Sequence, residues 1–230
     1  MNFQHAHIIF KLASRERPQR FKDTLDNLYA MIADKERFTI WCVLDTDDPT
    51  CDDYGEILFN QDWPNLYTSW GRSTGKINAI NRPIPDEYKW DILVNISDDM
   101  RLTVYGFDVI IRSYFDEHFP DGDGYIHLQD IDSDDRVPVL YIADRKYFER
   151  DLFIYNPAYL SLFADNESMH VARHRGRYIY IPGIIYHHLL PSYGHLPEDE
   201  MYRRQQDIGW TVDRATFEER EKHNFYLNQP

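Results

Sequence analysis

The sequence predicts an α/β fold: a single domain on a mixed, mostly parallel sheet with helices on both faces. Apolar runs of strand length alternate with helical patterns through the first half, the signature of βαβ units. The length of 230 residues suits one generous domain better than two. Hydrophobic residues make up 43% and charged residues 28%, ordinary for a globular chain. No run reaches the roughly 20 apolar residues of a membrane-spanning helix, so collagen-like, disordered and integral-membrane classes are excluded.

The elements follow in order. His7 to Leu12 (HIIFKL) reads as a buried strand that breaks at Ala13-Ser14-Arg15. A helix then starts at Pro18, with Phe21, Leu25, Leu28, Tyr29 and Ile32 forming one buried stripe. Phe38 to Leu44 (FTIWCVL) is a second strand, ending in the acidic Asp45-Thr46-Asp47-Asp48-Pro49. Leu66 to Trp70 is a weaker third strand, followed by Gly71-Arg72-Ser73-Thr74-Gly75 and a short helix carrying Lys76, Ile77, Asn78, Ile80 and Asn81. Ile92 to Ile96 is the fourth, ending at Ser97-Asp98-Asp99-Met100, and its unbroken apolar run implies burial on both faces.

A helix from about Tyr105 to His118 presents Phe107, Ile110, Ile111, Tyr114 and Phe115. Tyr125 to Leu128 reads as a strand, and an acidic loop from Asp130 to Asp135 separates it from the apolar Val137 to Ala143. Asn156 to Phe163 looks helical, a further helix runs to about His174 and stops at Gly176, and strands follow at Tyr178 to Ile181 and Ile184 to His187. The polar C-terminal segment reads as helical. No repeat or long linker divides the chain.

Charge and cysteine content narrow the function classes. Acidic residues outnumber basic ones 39 to 25, giving a net charge of −14, so no nucleic-acid partner is expected. The N-terminus lacks a basic n-region, which points away from a secretory signal and toward a cytoplasmic protein. Peripheral membrane contact stays open. Of two cysteines, Cys42 lies in a strand and Cys51 follows Pro49 in an acidic segment, a poor basis for a disulfide framework. Aromatic side chains reach 15%, which suits flat polar ligands such as nucleobases and sugars, but core packing is the commoner reason for such a content.

In an open parallel sheet, ligands bind beyond the carboxyl ends of the strands. Those ends carry Ser14-Arg15, Asp45 to Asp48, Gly71 to Gly75 and Asp98-Asp99. A literal Asp-x-Asp is uninformative here, because 27 Asp in 230 residues give roughly three such pairs by chance. Position is what singles out Asp98-Asp99: adjacent side chains at a strand end diverge, so one carboxylate can hold a cation and the other a ligand hydroxyl. The alternative is a solvated pair capping a turn.

Other motifs fail on their own chemistry. Gly71 to Lys76 has only three residues between its glycines, and Ile77 stands where a phosphate loop needs Ser or Thr, although Lys76 and Arg72 retain the charge to neutralise a diphosphate. Asp130-Ile131-Asp132-Ser133-Asp134 starts like a calcium loop, but Asp135 and Tyr141 occupy the positions that require Gly and Glu. His187-His188 ends the last strand and offers borderline nitrogen ligands for manganese or zinc, or a purely structural pair.

The order of Ala-Ser-Arg-Glu-Arg-Pro after the first strand, Leu44-Asp45 after the second, Gly-Lys-Ile-Asn-Ala-Ile-Asn, and Ile96-Ser-Asp-Asp-Met resembles the nucleotide-binding half of GT-A fold glycosyltransferases of the family 2 type. The likeness spans about Ile8 to Leu102, with weaker echoes to about Tyr202. It implies a metal-dependent transferase that moves a sugar from a nucleoside-diphosphate donor, a UDP-sugar in the first instance, to the hydroxyl of a glycan or other acceptor. It implies a nucleotide-binding half at 1–102 and an acceptor half at 103–230. Ser14, Arg15, Asp45 and Asp47 then surround the nucleoside, Lys76 and Arg72 face the diphosphate, and Asp98-Asp99 stand in for the DxD motif. Asp99 would hold Mn2+ or Mg2+ together with His187 or His188, and Asp98 would face the ribose or the donor sugar. Ser97 departs from the pattern by replacing its first carboxylate. Phe163-Ala164-Asp165-Asn166-Glu167 resembles the segment that supplies the acceptor-side base, with Asp165 the first candidate and Glu167 the second. The rival readings are a catalytically silent nucleotide- or sugar-binding module and a sugar nucleotidyltransferase, the latter disfavoured by the lack of a Gly-rich loop after the first strand.

Overall fold

The computed structural model describes residues 2–132 and 136–227. The last residues of the rejected calcium-loop pattern, Ser133, Asp134 and Asp135, lie outside them. Eight strands form one sheet: β1 (Ile8–Ser14), β2 (Phe38–Asp45), β3 (Leu66–Gly71), β4 (Ile92–Ser97), β5 (Met100–Leu102), β6 (Tyr125–Asp130), β7 (Tyr141–Asp144) and β8 (Tyr178–His188), in the order β3-β2-β1-β4-β7-β6-β8-β5. The four strands on the β3 side pair in parallel. β7 runs antiparallel to both β4 and β6, while β6 and β8 are parallel again. The sheet is therefore mixed and mostly parallel, as the alternation of apolar runs predicts.

The unbroken apolar strands are buried on both faces. Phe10, Ile40, Cys42, Val94 and Ile96 belong to one core, which α1 (Pro18–Met31) and α4 (Phe107–His118) cover with Phe21, Leu25, Leu28, Phe107, Ile111 and Phe115. Ile9, Trp41, Val43 and Leu93 face the opposite core, covered by Ile77 and Ile80 of α3 (Lys76–Asn81) and by Ala164 and Ala172 of α6 (Ala164–His174). Each fully buried Leu, Ile or Phe contributes about 1.5–3 kcal/mol, so the two faces together drive folding. Pro18 opens α1, where its missing N–H costs nothing. Gly106 precedes α4 at φ 79°, a left-handed turn that disfavours a side chain.

Several elements differ from the sequence reading. The segment after Asp48 forms a helix, α2 (Cys51–Asn60), with Asp52 and Asp53 in its first turn, where acidic side chains favour the helix dipole. A four-residue helix, α5 (Arg145–Phe148), follows β7, capped by the Asp144 side chain. Asn156 to Phe163 is not helical, because the N–H groups of Leu160, Ser161 and Leu162 donate to the Asp213 carboxylate at 2.9, 2.7 and 2.8 Å. The two late strand segments are one strand, β8, with a pairing irregularity. The C-terminal region is helical as expected, with α7 (Glu200–Ile208) and α8 (Arg214–Lys222) joined by a wider turn over Gly209–Asp213. Both cysteines are free thiols. Among the described residues no helix is long and apolar enough to cross a membrane.

Candidate active site

Parallel pairing brings the carboxyl ends of β3, β2, β1 and β4 to one edge: Asp45 lies beside Gly71, Ser14 beside Leu44, and Ala13 beside Ser97. Beyond that edge opens a cavity of about 300 Å³. Ser14, Arg15, Asp45, Asp47, Lys76, Asp98 and Asp99 all line it, so the strand-end residues singled out in the sequence converge. Arg72 is exposed and lies outside the lining, within electrostatic reach of Asp47.

At the β1 and β2 tips, charge is held in a fixed lattice. The Arg15 guanidinium donates to Asp47 at 2.7 Å and to Asp45 at 3.2 Å. The other Asp45 oxygen accepts from Ser73 at 2.7 Å and from Arg82 at 2.8 Å. Asp45 is buried, and its two arginine partners offset the cost of keeping a carboxylate there. Asp47 is exposed, and its hydrogen bond from Arg15 lowers its carboxyl from the ordinary range.

Asp98 and Asp99 form the turn between β4 and β5, and both are buried. One Asp98 oxygen accepts from the Ser14 hydroxyl at 2.6 Å, and the other faces Arg17 at 3.4 Å. Burial, then repulsion from Asp99, pushes the Asp98 carboxyl up. Asp99 is also penalised by burial, yet His188, Lys76 and Arg17 together hold its carboxyl below the usual range. The β5–β8 pairing produces this contact: Met100 pairs with His188, the Leu189 N–H donates to the Asp99 carbonyl at 2.7 Å, and His188 Nε2 reaches 3.3 Å from Asp99 Oδ1.

This corner fits a small divalent cation. Asp99 Oδ1 is buried and faced only by the His188 imidazole edge 3.3 Å away, and a buried carboxylate is costly unless positive charge satisfies it. The 3.3 Å between Asp99 Oδ1 and His188 Nε2 is close to the edge of about 3 Å expected for two ligands of an octahedral ion bound near 2.1 Å. His187, the other sequence candidate, points away from Asp99 and contacts Asp132 at 3.0 Å, because neighbouring side chains on a strand alternate.

The two carboxylates of α6 have different surroundings. Asp165 lies in the first helical turn, within electrostatic reach of Lys76 and His188 and of the phenols of Tyr125, Tyr155 and Tyr186. Burial raises its carboxyl, opposed by the Asn166 N–H, Lys76 and His188. Glu167 is spent elsewhere: Arg220 donates to both of its oxygens at 2.7 and 2.8 Å, with further bonds from Tyr159 at 2.7 Å and Asn156 at 2.9 Å. Neither Asp165 nor Glu167 is among the residues that line the cavity.

Sequence reasoning misses several residues of the site. Arg17 is buried beside Asp98 and Asp99 and makes a bidentate pair with Asp199 at 2.8 Å on both bonds. Asp199 caps α7, which walls the cavity with Met201, Arg204, Gln205 and Ile208. Arg17 stands within the quoted Ala-Ser-Arg-Glu-Arg-Pro run, but its partner lies 182 positions away. The polar α7 carries no motif that would announce a wall. Gly75 approaches the Leu160 carbonyl so closely that a Cβ would sit 3.2 Å from it, which packs the start of α3 against the loop that Asp213 holds.

No family model and no curated protein matches the chain by sequence. Solved structures do match by shape. The mannosyltransferase PcManGT from Pyrobaculum calidifontis, in complex with GDP-Man and Mn2+, superposes with a TM-score of 0.68 at 14% identity, covering 83% of this chain and 59% of that one. S. aureus TarS superposes with a TM-score of 0.59 at 13% identity, covering 97% of this chain and 46% of TarS. A 1-349 form of TarS in complex with UDP-GlcNAc gives 0.57 at 12% identity, covering 79% of this chain and 58% of that chain. The chain thus spans about three-fifths of PcManGT and under half of TarS. Its fold is that of the GT-A-type glycosyltransferases.

Proposed function

We propose that this chain is a metal-dependent glycosyltransferase that uses a nucleoside-diphosphate sugar as donor and a hydroxyl group, of a glycan or another acceptor, as nucleophile. The observation that carries the reading is the convergence of Asp98, Asp99 and Lys76 on the cavity beyond the parallel strands, with His188 against Asp99. That the neighbours of this fold bind GDP-Man with Mn2+, and UDP-GlcNAc, supports it. A UDP-sugar is the first donor to test and GDP-mannose the second. In this reading residues 1–102 hold the nucleotide, and residues 103–230 contribute the acceptor side within the same domain.

Asp99 and His188 would hold Mn2+ or Mg2+. When bound, the cation supplies positive charge at the departing diphosphate. Arg15, braced by Asp45 and Asp47, and Ser14, braced by Tyr54 and Asp98, orient the nucleoside end. Lys76 lines the cavity within electrostatic reach of both Asp99 and Asp165, and its ammonium would offset negative charge on the departing diphosphate. Arg72, at the rim, adds a second positive charge to the diphosphate path.

Asp165 is the acceptor-side base. Transfer needs the acceptor hydroxyl to lose its proton as the bond to the anomeric carbon forms, and a half-buried carboxylate raised in pKa accepts that proton better than a fully solvated one. Glu167, the second candidate, serves instead as a brace between α6 and α8, because Arg220 occupies both oxygens. A base in line with the acceptor hydroxyl corresponds to inversion at the anomeric carbon.

The test is the release of nucleoside diphosphate from a panel of UDP-, GDP-, CDP- and dTDP-sugars with Mn2+, with and without simple sugar acceptors. The reading expects one donor to be consumed by the wild type and spared by Asp99→Asn. Equal consumption by both proteins would remove Asp99 from the chemistry. No consumption of any donor, with binding intact and independent of metal, would favour the silent binding module.

A further inference from the structure

We infer a second divalent-cation site, apart from the donor cavity, formed by Asp132, His187 and His195. Three separate parts of the chain deliver it. Asp132 follows β6, His187 lies on β8 opposite Arg101 of β5, and His195 follows a turn over Pro191–Tyr193 that Gly194 completes at φ 79°. Strand alternation is what separates the two histidines of β8, sending His188 to Asp99 and His187 to Asp132.

The donor atoms converge as ligands do. His187 Nε2 and His195 Nε2 lie 3.0 and 2.7 Å from the same oxygen, Asp132 Oδ2, and all three donor atoms fall within 4.8 Å of one another. The two imidazole rings meet edge to face, with centroids 4.4 Å apart and planes at 82°, and each turns its Nε2 toward the one carboxylate oxygen. Ligands held at about 2.0–2.1 Å around a tetrahedral ion stand about 3.3 Å apart, a small outward step from the distances here. Side-chain exposures of 24%, 19% and 28% for Asp132, His187 and His195 leave a path for the ion while holding the ligands in place.

The ligand chemistry selects the ion. Two imidazoles and one carboxylate suit a borderline cation of the zinc class, with water completing the coordination, better than magnesium or calcium, which prefer oxygen. The site has a structural consequence. His195 stands four residues before Asp199, which caps α7 and grips Arg17. A cation there ties the β8–α7 connection to the segment after β6, and so fixes the helix that walls the cavity.

The experiment uses the full chain stripped with a chelator, in an Asp99→Asn background that removes a ligand of the other site. Co2+ is titrated and its visible absorption recorded, and Zn2+ is then used to displace it. The expected result is one equivalent of Co2+ with the intense bands of a four- or five-coordinate nitrogen-rich site, and a melting temperature raised by Zn2+. Adding His195→Gln weakens binding at least roughly tenfold and removes the Zn2+ effect on melting, and His187→Gln does the same. His195 sits in a surface turn, so its variant tests the ligand with the core intact. If the Asp99→Asn protein takes up no cation, or if both histidine variants bind Co2+ unchanged, the cluster is only an ion pair of two imidazoles on one carboxylate and the inference is overturned.

Discussion

His188 Nε2 lies 3.3 Å from Asp99 Oδ1, placed there by three residue pairs between β5 and β8. The contact joins the end of the fourth strand to the last strand of the sheet, so one cation at this corner would tie both halves of the chain. His188→Ala should lower Mn2+ affinity by on the order of tenfold or more, while His187→Ala leaves nucleotide binding within about twofold. Isothermal titration of each variant with the preferred nucleotide at fixed Mn2+ checks it, and equal losses of nucleotide affinity in both variants would refute the assignment.

Asp165 and Glu167 share a helix turn but not a role. Asp165→Asn should lower turnover by roughly 10²- to 10⁴-fold with an unchanged or slightly raised melting temperature, because a half-buried, partly desolvated carboxylate is replaced by a neutral isostere. Glu167→Gln should do the opposite, retaining most turnover while losing about 1.5–3 kcal/mol of stability as the Arg220 pair is broken. Steady-state kinetics and thermal melts on the two variants separate these effects.

Arg17 is the cation that lets Asp98 and Asp99 lie side by side, 3.4 and 3.8 Å from their nearest oxygens. Arg17→Met should destabilise the protein by about 3–5 kcal/mol, since it takes the nearest guanidinium from the buried Asp98 and Asp99 and frees Asp199. Adding Asp98→Asn should restore part of that loss. Urea denaturation of the single and double variants measures both steps.

Lys11 lies in the middle of β1, almost fully buried, with its amine donating to the Arg82 carbonyl. Burial first, then the Arg82 charge, pushes its amine down from 10.5 to about 7. The unfolded chain therefore holds a proton on this group between about pH 7 and 10.5 that the folded chain has released. Stability gained from this group rises with pH across that window, by up to about 1.4 kcal/mol per pH unit, and is lost on acidification toward pH 7. Lys11→Met should flatten the difference between melts at pH 7 and pH 9 and raise stability at the lower pH.

Much of this fold is legible in sequence where burial leaves a periodic trace. β1, β2 and β4 show as unbroken apolar runs because both their faces are covered, and α1 shows as a stripe behind Pro18. The elements that stay hidden have no such trace. α2 opens on acidic residues and contains Gly55, β5 is only three residues long, and the helical look of Asn156 to Phe163 yields to the Asp213 carboxylate. The candidate site divides in the same way. Strand-end residues such as Asp45 and Asp99 are found by topology alone, since parallel strands must present their ends to one edge. Arg17, Arg82 and α7 are not, because their meaning lies in partners far along the chain. The His187-His188 pair was half legible: alternation already says that only one of them can face Asp99.

The most direct test of the account is a thermal-shift panel of UDP, GDP, CDP and dTDP, with and without Mn2+, on the wild type and on Asp99→Asn. At about 100 times Kd, ligand binding adds roughly 2.7 kcal/mol, or on the order of 5–10 °C for a chain of this size. The account predicts that one diphosphate raises the wild-type melt only when Mn2+ is present, and that Asp99→Asn loses the shift. A shift of the same size in both proteins, or one that ignores Mn2+, would contradict it.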